Sequence, residues 1–198
     1  MLVAGINFTL HYSLIMGNFR AVLTNSELRL YLAIILVAVI LVTINLRQHT
    51  FYEAGESLRY ASFQVVSIIT TTGFTTANFD NWPALSKIIL LLLMFVGGSA
   101  GSTGGSIKCL RILLILKHGY KELYRLVHPH AVTAVKLGKR TVYPETMASV
   151  WGFFLLYLVM TIIASIILTF LGLDIMTAFS SVAATIGNVG PGFGGVNP

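Results

Sequence analysis

The chain has 198 residues, of which 56% are hydrophobic and only 10% are charged. Its mean hydropathy of +0.82 excludes an ordinary soluble domain, whose surface needs far more polar side chains. The net charge of +6 does not indicate nucleic-acid binding, because ten of the 13 basic residues fall in two segments, residues 20–29 and 108–140. Under the positive-inside rule these two segments face the cytoplasm of a membrane protein.

The first predicted elements are a membrane helix, a basic loop and a full span. Residues 1–16 are expected to be the end of a helix that begins outside the chain, and residues 17–29 a cytoplasmic loop. Residues 30–117 are expected to form one complete repeat of helix, pore loop and helix. Within it, residues 30–46 cross the membrane outward. Residues 60–70 make a helix of about 16 Å, which is too short for a hydrocarbon core of roughly 30 Å and is therefore re-entrant.

The repeat is predicted to close with a broken helix. Its two halves are predicted at residues 84–96 and 107–117. Between them lies a run of small residues at 97–105. Glycine runs weaken helices, and irregular backbone at membrane depth is tolerated only inside protein or along a water-filled cavity. The run is therefore either a site of close helix packing or a flexible constriction in a pore, and we favour the constriction. It does not match a nucleotide P-loop, because Ser106 and Ile107 separate the last glycine from the lysine.

A second repeat follows a basic cytoplasmic segment, residues 118–146. Residues 147–198 are expected to repeat the first pattern and to stop after the pore loop, so the chain is predicted to be a fragment. In this stretch residues 147–171 give the clearest full span. Residues 174–186 again predict a helix that is too short to cross.

Each short helix is followed by an uncharged loop that contains glycine. The loops read TTTGFT at residues 70–75 and GNVGPG at residues 187–192, and they align with Gly73 on Gly190, a separation of 190 − 73 = 117 residues. Backbone carbonyl oxygens can replace the water of a cation in a narrow pore if the lining residues are small and conformationally free. Because both loops follow the C-terminal end of a helix, a cation is favoured over an anion. Two copies in register predict an ion filter.

The remaining polar residues carry weaker expectations. Asp80 and Asp174 flank the short helices on the outer side, where they either concentrate cations or, for Asp174, cap a helix. Asn188 is expected to steady the carbonyls of the second loop from behind. Lys108 and Arg111 are assigned as ordinary positive-inside anchors. The single cysteine excludes an internal disulfide, and the histidines at 128 and 130 are not expected to bind metal.

Two other classes of function fit less well. A cation-coupled secondary transporter with broken helices normally places an ionisable group at membrane depth, and residues 63–78 and 175–198 contain none. A membrane-embedded enzyme would need a convergent nucleophile, acid or set of metal ligands, so no catalytic residue is expected. A structural membrane module that transports nothing is the third alternative.

Four motifs in order resemble the Trk/Ktr/HKT superfamily of potassium transporters, most closely its TrkH-type membrane subunit. They are TTTGFT at 70–75, GSAGSTGGSIK at 98–108, LVHPH at 126–130 and GNVGPG at 187–192. The resemblance covers essentially the whole chain. It implies an all-α integral membrane fold of tandem helix–pore-loop–helix repeats with re-entrant pore helices, four of them around one pore. The chain would then hold the end of the second repeat, the third, and the fourth up to its filter.

The resemblance also implies roles for individual residues. The filter would be lined by Thr71, Thr72, Gly73, Phe74, Asn188, Val189, Gly190 and Pro191. Carbonyls of Thr72, Gly73, Val189 and Gly190 would hold K+. The loop that obstructs the pore would contain Gly97, Gly98, Ser99, Gly101, Gly104 and Gly105. K+ is the transported ion, and no other cofactor is expected.

The implied function is potassium uptake across the cell inner membrane, either channel-like or as proton symport. The implied partners are the lipid bilayer, the missing repeats of the same subunit, a second copy in a homodimer and a cytoplasmic nucleotide-binding TrkA-type regulatory subunit. Half of a fourfold filter is not expected to conduct alone.

Overall fold

The computed structural model of the chain describes residues 1–50, 53–129, 133–138 and 140–196. Within these residues the fold is predominantly helical, as the sequence predicts. The α-helices are α1 (Phe8–Ile15), α2 (Phe19–Leu23), α3 (Ser26–His49), α4 (Ala54–Ile69), α5 (Ala84–Phe95), α6 (Cys109–Val127), α7 (Pro144–Phe170) and α8 (Ile175–Ile186). Two short strands, β1 (Lys136–Leu137) and β2 (Arg140–Thr141), pair antiparallel with Lys136 opposite Thr141. His130 of the LVHPH motif and residues 197–198 lie outside the described residues.

Two helices are long and apolar enough to cross a membrane. They are α3, with 24 residues and a mean hydropathy of 2.4, and α7, with 27 residues and a mean hydropathy of 2.6. At 1.5 Å per residue both exceed a hydrocarbon core of roughly 30 Å. Only 11% of the most apolar stretch of α7 is buried within the chain, which suits a helix surrounded by lipid. Each of the two predicted spans therefore falls on a helix of sufficient length and apolarity.

The span α3 begins four residues earlier than expected. The Asn25 side chain accepts a hydrogen bond from the Leu28 N–H at 2.9 Å and so caps the helix. Glu27 then lies in the first turn, where the helix dipole favours a carboxylate. Residues 26–29, expected in a cytoplasmic loop, are helical for these reasons.

The N-terminal segment is not one continuous helix. Leu2–Gly5 is a 3-10 helix, and α1 starts after a break at Ile6 and Asn7. The Asn7 side chain accepts a hydrogen bond from the Thr9 N–H at 2.8 Å, so it starts a new helix instead of continuing an old one.

Both short helices are shorter than a membrane is thick. α4 has 16 residues and α8 has 12, or about 24 and 18 Å. α4 begins well before residue 60, where the sequence placed its start. Residues 54–59 contain no proline, and Glu56 in the first turn complements the helix dipole.

The core lies between α3, α4 and α5. Tyr31, Val42, Val65, Ile68 and Leu90 are fully buried there. A buried polar contact joins α3 to α5 in the same region. Asn45 Oδ1 accepts a hydrogen bond from Ser86 Oγ at 2.7 Å and another from the Ser86 backbone N–H at 3.2 Å. Such bonds between membrane helices fix their relative position.

The broken helix is present, with α5 and α6 as its halves. The ends of the break are held together, since the Gly97 N–H donates to the Ile107 carbonyl at 2.9 Å and the Ile107 N–H to the Phe95 carbonyl at 3.1 Å. α6 continues past residue 117, where it was expected to end, and stops only at Val127. Its lysines and Glu122 are good helix formers, and the next proline is Pro129.

Candidate functional site

The two aligned loops have the same backbone conformation. Thr71 has φ 53° and its equivalent Asn188 has φ 54°, while Gly73 has φ 77° and Gly190 has φ 104°. Left-handed conformations are uncommon outside glycine. Their recurrence at two pairs of positions 117 residues apart (188 − 71 and 190 − 73) confirms the alignment made from the sequence.

The hydrogen bonds that end the two short helices also match in register. Three successive N–H groups after each helix donate back to its last turn. In the first loop Thr70, Thr71 and Thr72 donate to Val66, Ile68 and Ser67 at 3.1, 2.9 and 2.9 Å. In the second loop Gly187, Asn188 and Val189 donate to Ala183, Thr185 and Ala184 at 2.9, 3.1 and 2.7 Å. Each helix thus ends in a capping turn that directs the following backbone away from the helix axis.

The two loops touch each other. A Cβ atom added to Gly73 would collide with the Val189 carbonyl oxygen and would lie 3.2 Å from Cδ of Pro191. With a φ of 77° as well, this position accepts only glycine without strain. Backbone from two repeats therefore meets at one place, with no side chain of residue 73 between them.

Several carbonyl groups in the loops are not engaged within the chain. In the part of the chain that the structure describes, no hydrogen bond ends on the carbonyl oxygens of Thr71, Thr72, Gly73, Asn188, Val189 or Gly190. The Phe74 carbonyl differs, since it accepts a hydrogen bond from Ser67 Oγ at 2.6 Å. Thr72, Asn188 and Gly190 are exposed residues, and a row of carbonyls that is free of hydrogen bonds within the chain is suited to coordinate a cation.

The charged and amide groups expected near the loops are occupied or lie elsewhere. Asp80 pairs with Lys87 at 3.2 Å, so its charge is offset. Asp174 caps α8, with Oδ2 accepting a hydrogen bond from the Thr177 N–H at 3.0 Å. The Asn188 side chain is exposed and does not pack behind the loop as expected. The field at the loops therefore comes mainly from the C-terminal ends of α4 and α8, which favour a cation.

We expect the Asp174 cap to be sensitive to acid. Hydrogen bonds from Thr177 hold the pKa of Asp174 below its ordinary value of 3.8. The carboxylate is ionised and the cap is complete at pH values above 3.8. The contribution of the cap to the stability of α8 is lost as the pH falls through the lowered pKa. Replacing Asp174 by alanine should reduce the hydrogen-exchange protection of the Thr177 amide several-fold in the purified protein. Asp174→Asn, which keeps an acceptor oxygen, should retain most protection, and equal protection in all three proteins would contradict the capping role.

The run at residues 97–105, called here the intramembrane loop, contacts both aligned loops, residues 70–75 and 187–192, which are called the filter loops after their predicted role. The Gly105 N–H donates to Thr71 Oγ1 at 2.7 Å. Next to it, Ser106 Oγ donates to the Gly187 carbonyl at 3.1 Å and to the Met94 carbonyl at 2.6 Å. The start of each filter loop is thus joined to the same segment.

Three contacts of the intramembrane loop were missed from the sequence. The Ser99 N–H donates to the Gly5 carbonyl at 2.8 Å, which joins the N-terminal segment to the loop. Glu27, 6% exposed, accepts a hydrogen bond from the Ala100 N–H at 2.5 Å. Lys108 was assigned as an anchor, but its ammonium donates to the Gly104 carbonyl and, at 3.2 Å, to the Ser102 carbonyl.

Arg111, the other expected anchor, also faces protein. Its guanidinium lies 3.8 Å from the ring centre of Phe153, which joins α6 to α7 by a cation–π contact. Lys108 and Arg111, both half-buried, therefore contact other parts of the chain.

Comparison with known proteins gives consistent relatives. The TrkH family, described as cation transport protein, matches residues 1–198. The Trk system potassium uptake protein TrkH of Salmonella typhimurium is 42% identical over 196 residues, covering 98% of this chain and 41% of the relative. Its Escherichia coli counterpart is 41% identical with the same coverage. The crystal structure of the potassium transporter TrkH from Vibrio parahaemolyticus superimposes with a TM-score of 0.90 at 39% identity, covering 98% of this chain and 42% of that one. The chain spans about two-fifths of the length of these relatives.

Proposed function

The chain belongs to the TrkH family of cation transport proteins, and on that premise we propose that it takes part in potassium uptake across a membrane. The observation that carries the proposal is the pair of equivalent loops that meet at Gly73 and Val189 with their carbonyls uncommitted. The relatives are named potassium uptake proteins, which supports K+ as the ion.

In the proposed mechanism K+ leaves its water and is coordinated by carbonyls of Thr72, Gly73, Val189 and Gly190. Thr71 and Asn188 hold the left-handed turns that bring these carbonyls into place. The negative ends of α4 and α8 lower the energy of a cation between the loops. The two loops provide only part of a coordination shell, so we propose that further filter segments come from sequence that the relatives carry beyond the matched two-fifths.

The intramembrane loop is proposed to obstruct the ion pathway next to the filter. Its last residue, Gly105, donates a hydrogen bond to Thr71, and the adjoining Ser106 donates one to Gly187. An ion that leaves the filter on that side would have to displace it. The loop is made of small residues and has little side chain to move, which suits a gate.

The surroundings proposed for the chain follow its charge distribution and its family. The helices α3 and α7 are proposed to span the cell inner membrane in a multi-pass subunit. The subunits would pair as a homodimer. The basic segment at residues 118–146 would face the cytoplasm, where a TrkA-type nucleotide-binding subunit would dock. No catalytic role is proposed, because the family is one of transporters.

A cation-coupled carrier would need a titratable group at the ion site. Glu27 and Lys108 are ionisable groups within the helical region, but their contacts are with the intramembrane loop. The filter loops themselves contain no charged residue. A simple carbonyl pathway is therefore the better supported function.

The test is ion uptake by the complete transporter, meaning this chain together with the sequence that makes up the rest of the relatives' length. We expect liposomes that contain it to take up K+ and Rb+ faster than empty liposomes and faster than they take up Na+ at the same concentration. Uptake of anions, or no difference from empty liposomes, would contradict the proposal.

A further inference from the structure

The intramembrane loop is hydrogen-bonded to two charged side chains, those of Glu27 and Lys108. Glu27 reaches it from the first turn of α3, and its Oε1 accepts the Ala100 N–H at 2.5 Å. The carboxylate belongs to a residue that is only 6% exposed. A buried carboxylate is costly unless it is hydrogen-bonded, so a specific function is the simplest reason for its presence.

The second side chain is Lys108, the residue before α6. Its ammonium donates to the carbonyls of Gly104 and Ser102 and lies 3.5 Å from Ser102 Oγ. The lysine therefore folds back over the loop that precedes it. Charge-assisted hydrogen bonds of this kind are stronger than neutral ones, so the lysine holds the far half of the loop.

The two charges also act on each other. The ammonium of Lys108 and the carboxylate of Glu27 carry opposite charges and attract each other through space, although they form no direct salt bridge in the described part of the chain. One holds an N–H group of the loop and the other holds carbonyl groups, so each matches the polarity of what it binds. Removing either side chain therefore removes one of two separate attachments of the loop.

The C-terminal end of the loop contacts the two filter loops. Gly105 is bonded to Thr71, and a Cβ atom at Gly105 would collide with the Gly187 carbonyl oxygen. There is therefore little free space between the loop and the two filter loops. Any movement that takes residues 100–104 out of this position must break their bonds to Glu27 and Lys108.

We propose that Glu27 and Lys108 form a clasp that holds the intramembrane loop against the filter, and that opening of the ion pathway requires release of this clasp. The two residues are positioning residues, since they act on the ion through the loop. This inference rests on the proposed transport function.

The first test measures Rb+ uptake by the complete transporter. Glu27→Ala removes the acceptor, and Lys108→Met removes the donors while it keeps the apolar stem. Each should raise uptake about tenfold, because a hydrogen bond to a charged group that favours the closed state is lost. Glu27→Gln keeps an acceptor oxygen and should restore most of the closure. The double variant should exceed either single variant by much less than the product of the two increases, because one clasp is broken in all three.

Matched controls are Glu53→Ala and Lys121→Met. Glu53 is an exposed carboxylate whose side chain makes no capping hydrogen bond to α4. Lys121 lies on α6 beside Glu122, at 4.0 Å. Neither residue contacts the intramembrane loop in the described structure, so uptake should be unchanged.

A second readout follows the loop without ion flux. Thr103 is exposed, whereas Cys109 is buried, so Thr103→Cys introduces an accessible thiol when cysteines outside this chain are replaced by serine. The thiol should react faster with a methanethiosulfonate reagent when Glu27→Ala or Lys108→Met is added, and not with Glu27→Gln. This rate is measured whether or not the protein carries K+. Faster labelling with no uptake by the wild type would therefore support the clasp and contradict the transport function.

The remaining outcomes are also decisive. Wild-type K+ uptake with unchanged uptake and labelling in both variants would overturn the clasp and leave the transport function standing. If Glu27→Ala does not reach the membrane, Lys108→Met decides alone, since its side chain is only half-buried. Failure of both variants to fold would show that the two residues support the fold only, and the clasp would be rejected.

Discussion

Replacement of Gly73 by alanine is expected to abolish most of the preference of the complete transporter for K+ over Na+. The added methyl group would collide with the Val189 carbonyl oxygen, and the φ of 77° strains any other residue. The left-handed conformation alone costs roughly 1–2 kcal/mol, and 1.4 kcal/mol corresponds to a factor of ten, so we expect selectivity to fall at least about tenfold. The measurement is Rb+ uptake by liposomes in competition with Na+.

The variant Gly190→Ala distinguishes the effect of backbone strain on selectivity from the effect of a steric collision. Its φ of 104° is also unfavourable for alanine, but a Cβ atom there would meet nothing closer than the Gly73 Cα at 4.0 Å. Its effect on selectivity should therefore have the same sign and be smaller. Gly55→Ala is the neutral control, because a Cβ atom there has no neighbour within 4 Å. Unchanged selectivity in Gly73→Ala would remove Gly73 from the filter.

The paired loops could be predicted because their determinants are local. Each consists of a short apolar helix, a capping turn and glycine at a position that needs a positive φ, and all of these lie within about 20 residues of sequence. The fixed separation of Gly73 and Gly190 then revealed the repeat. The structure adds what local patterns cannot contain, which is that the Gly73 backbone lies against the Val189 carbonyl.

The contacts of the intramembrane loop could not be predicted in the same way. Glu27 and Ala100 are 73 residues apart, and the bond uses a backbone N–H that any residue supplies. Lys108 is only four residues from Gly104, but a lysine at the end of a membrane segment normally points to the aqueous phase. The positive-inside rule concerns the number of basic residues in a whole segment. It does not say which lysine side chain turns toward the protein. Helix ends were missed for a related reason, because capping by Asn25 or Asn7 depends on single side chains.

Shortening the intramembrane loop is the second change with a large expected effect. Deletion of residues 100–103 removes the part held by Glu27 and keeps the bonds that close the base of the loop, from Gly97 to Ile107 and from Cys109 to Gly98. If the loop obstructs the pathway, K+ uptake by the complete transporter should rise about tenfold or more, since a barrier of 1.4 kcal/mol already accounts for a factor of ten.

The control for this deletion keeps the length of the loop and changes its composition. Replacing residues 100–103 by Ser-Gly-Ser-Ser keeps glycine at position 101, whose φ is 71°, and keeps a backbone N–H at position 100 for Glu27. The length of the loop is unchanged and its volume nearly so, and uptake should stay close to that of the wild type. The two interpretations of the small residues then predict opposite changes in uptake when the loop is shortened. A loop that serves to pack α5 and α6 closely would, when shortened, misplace Thr71 and Gly187 through their bonds to Gly105 and Ser106, and uptake would fall. A rise in uptake with selectivity intact therefore identifies the loop as a gate, because the filter loops must keep their positions for K+ to be preferred.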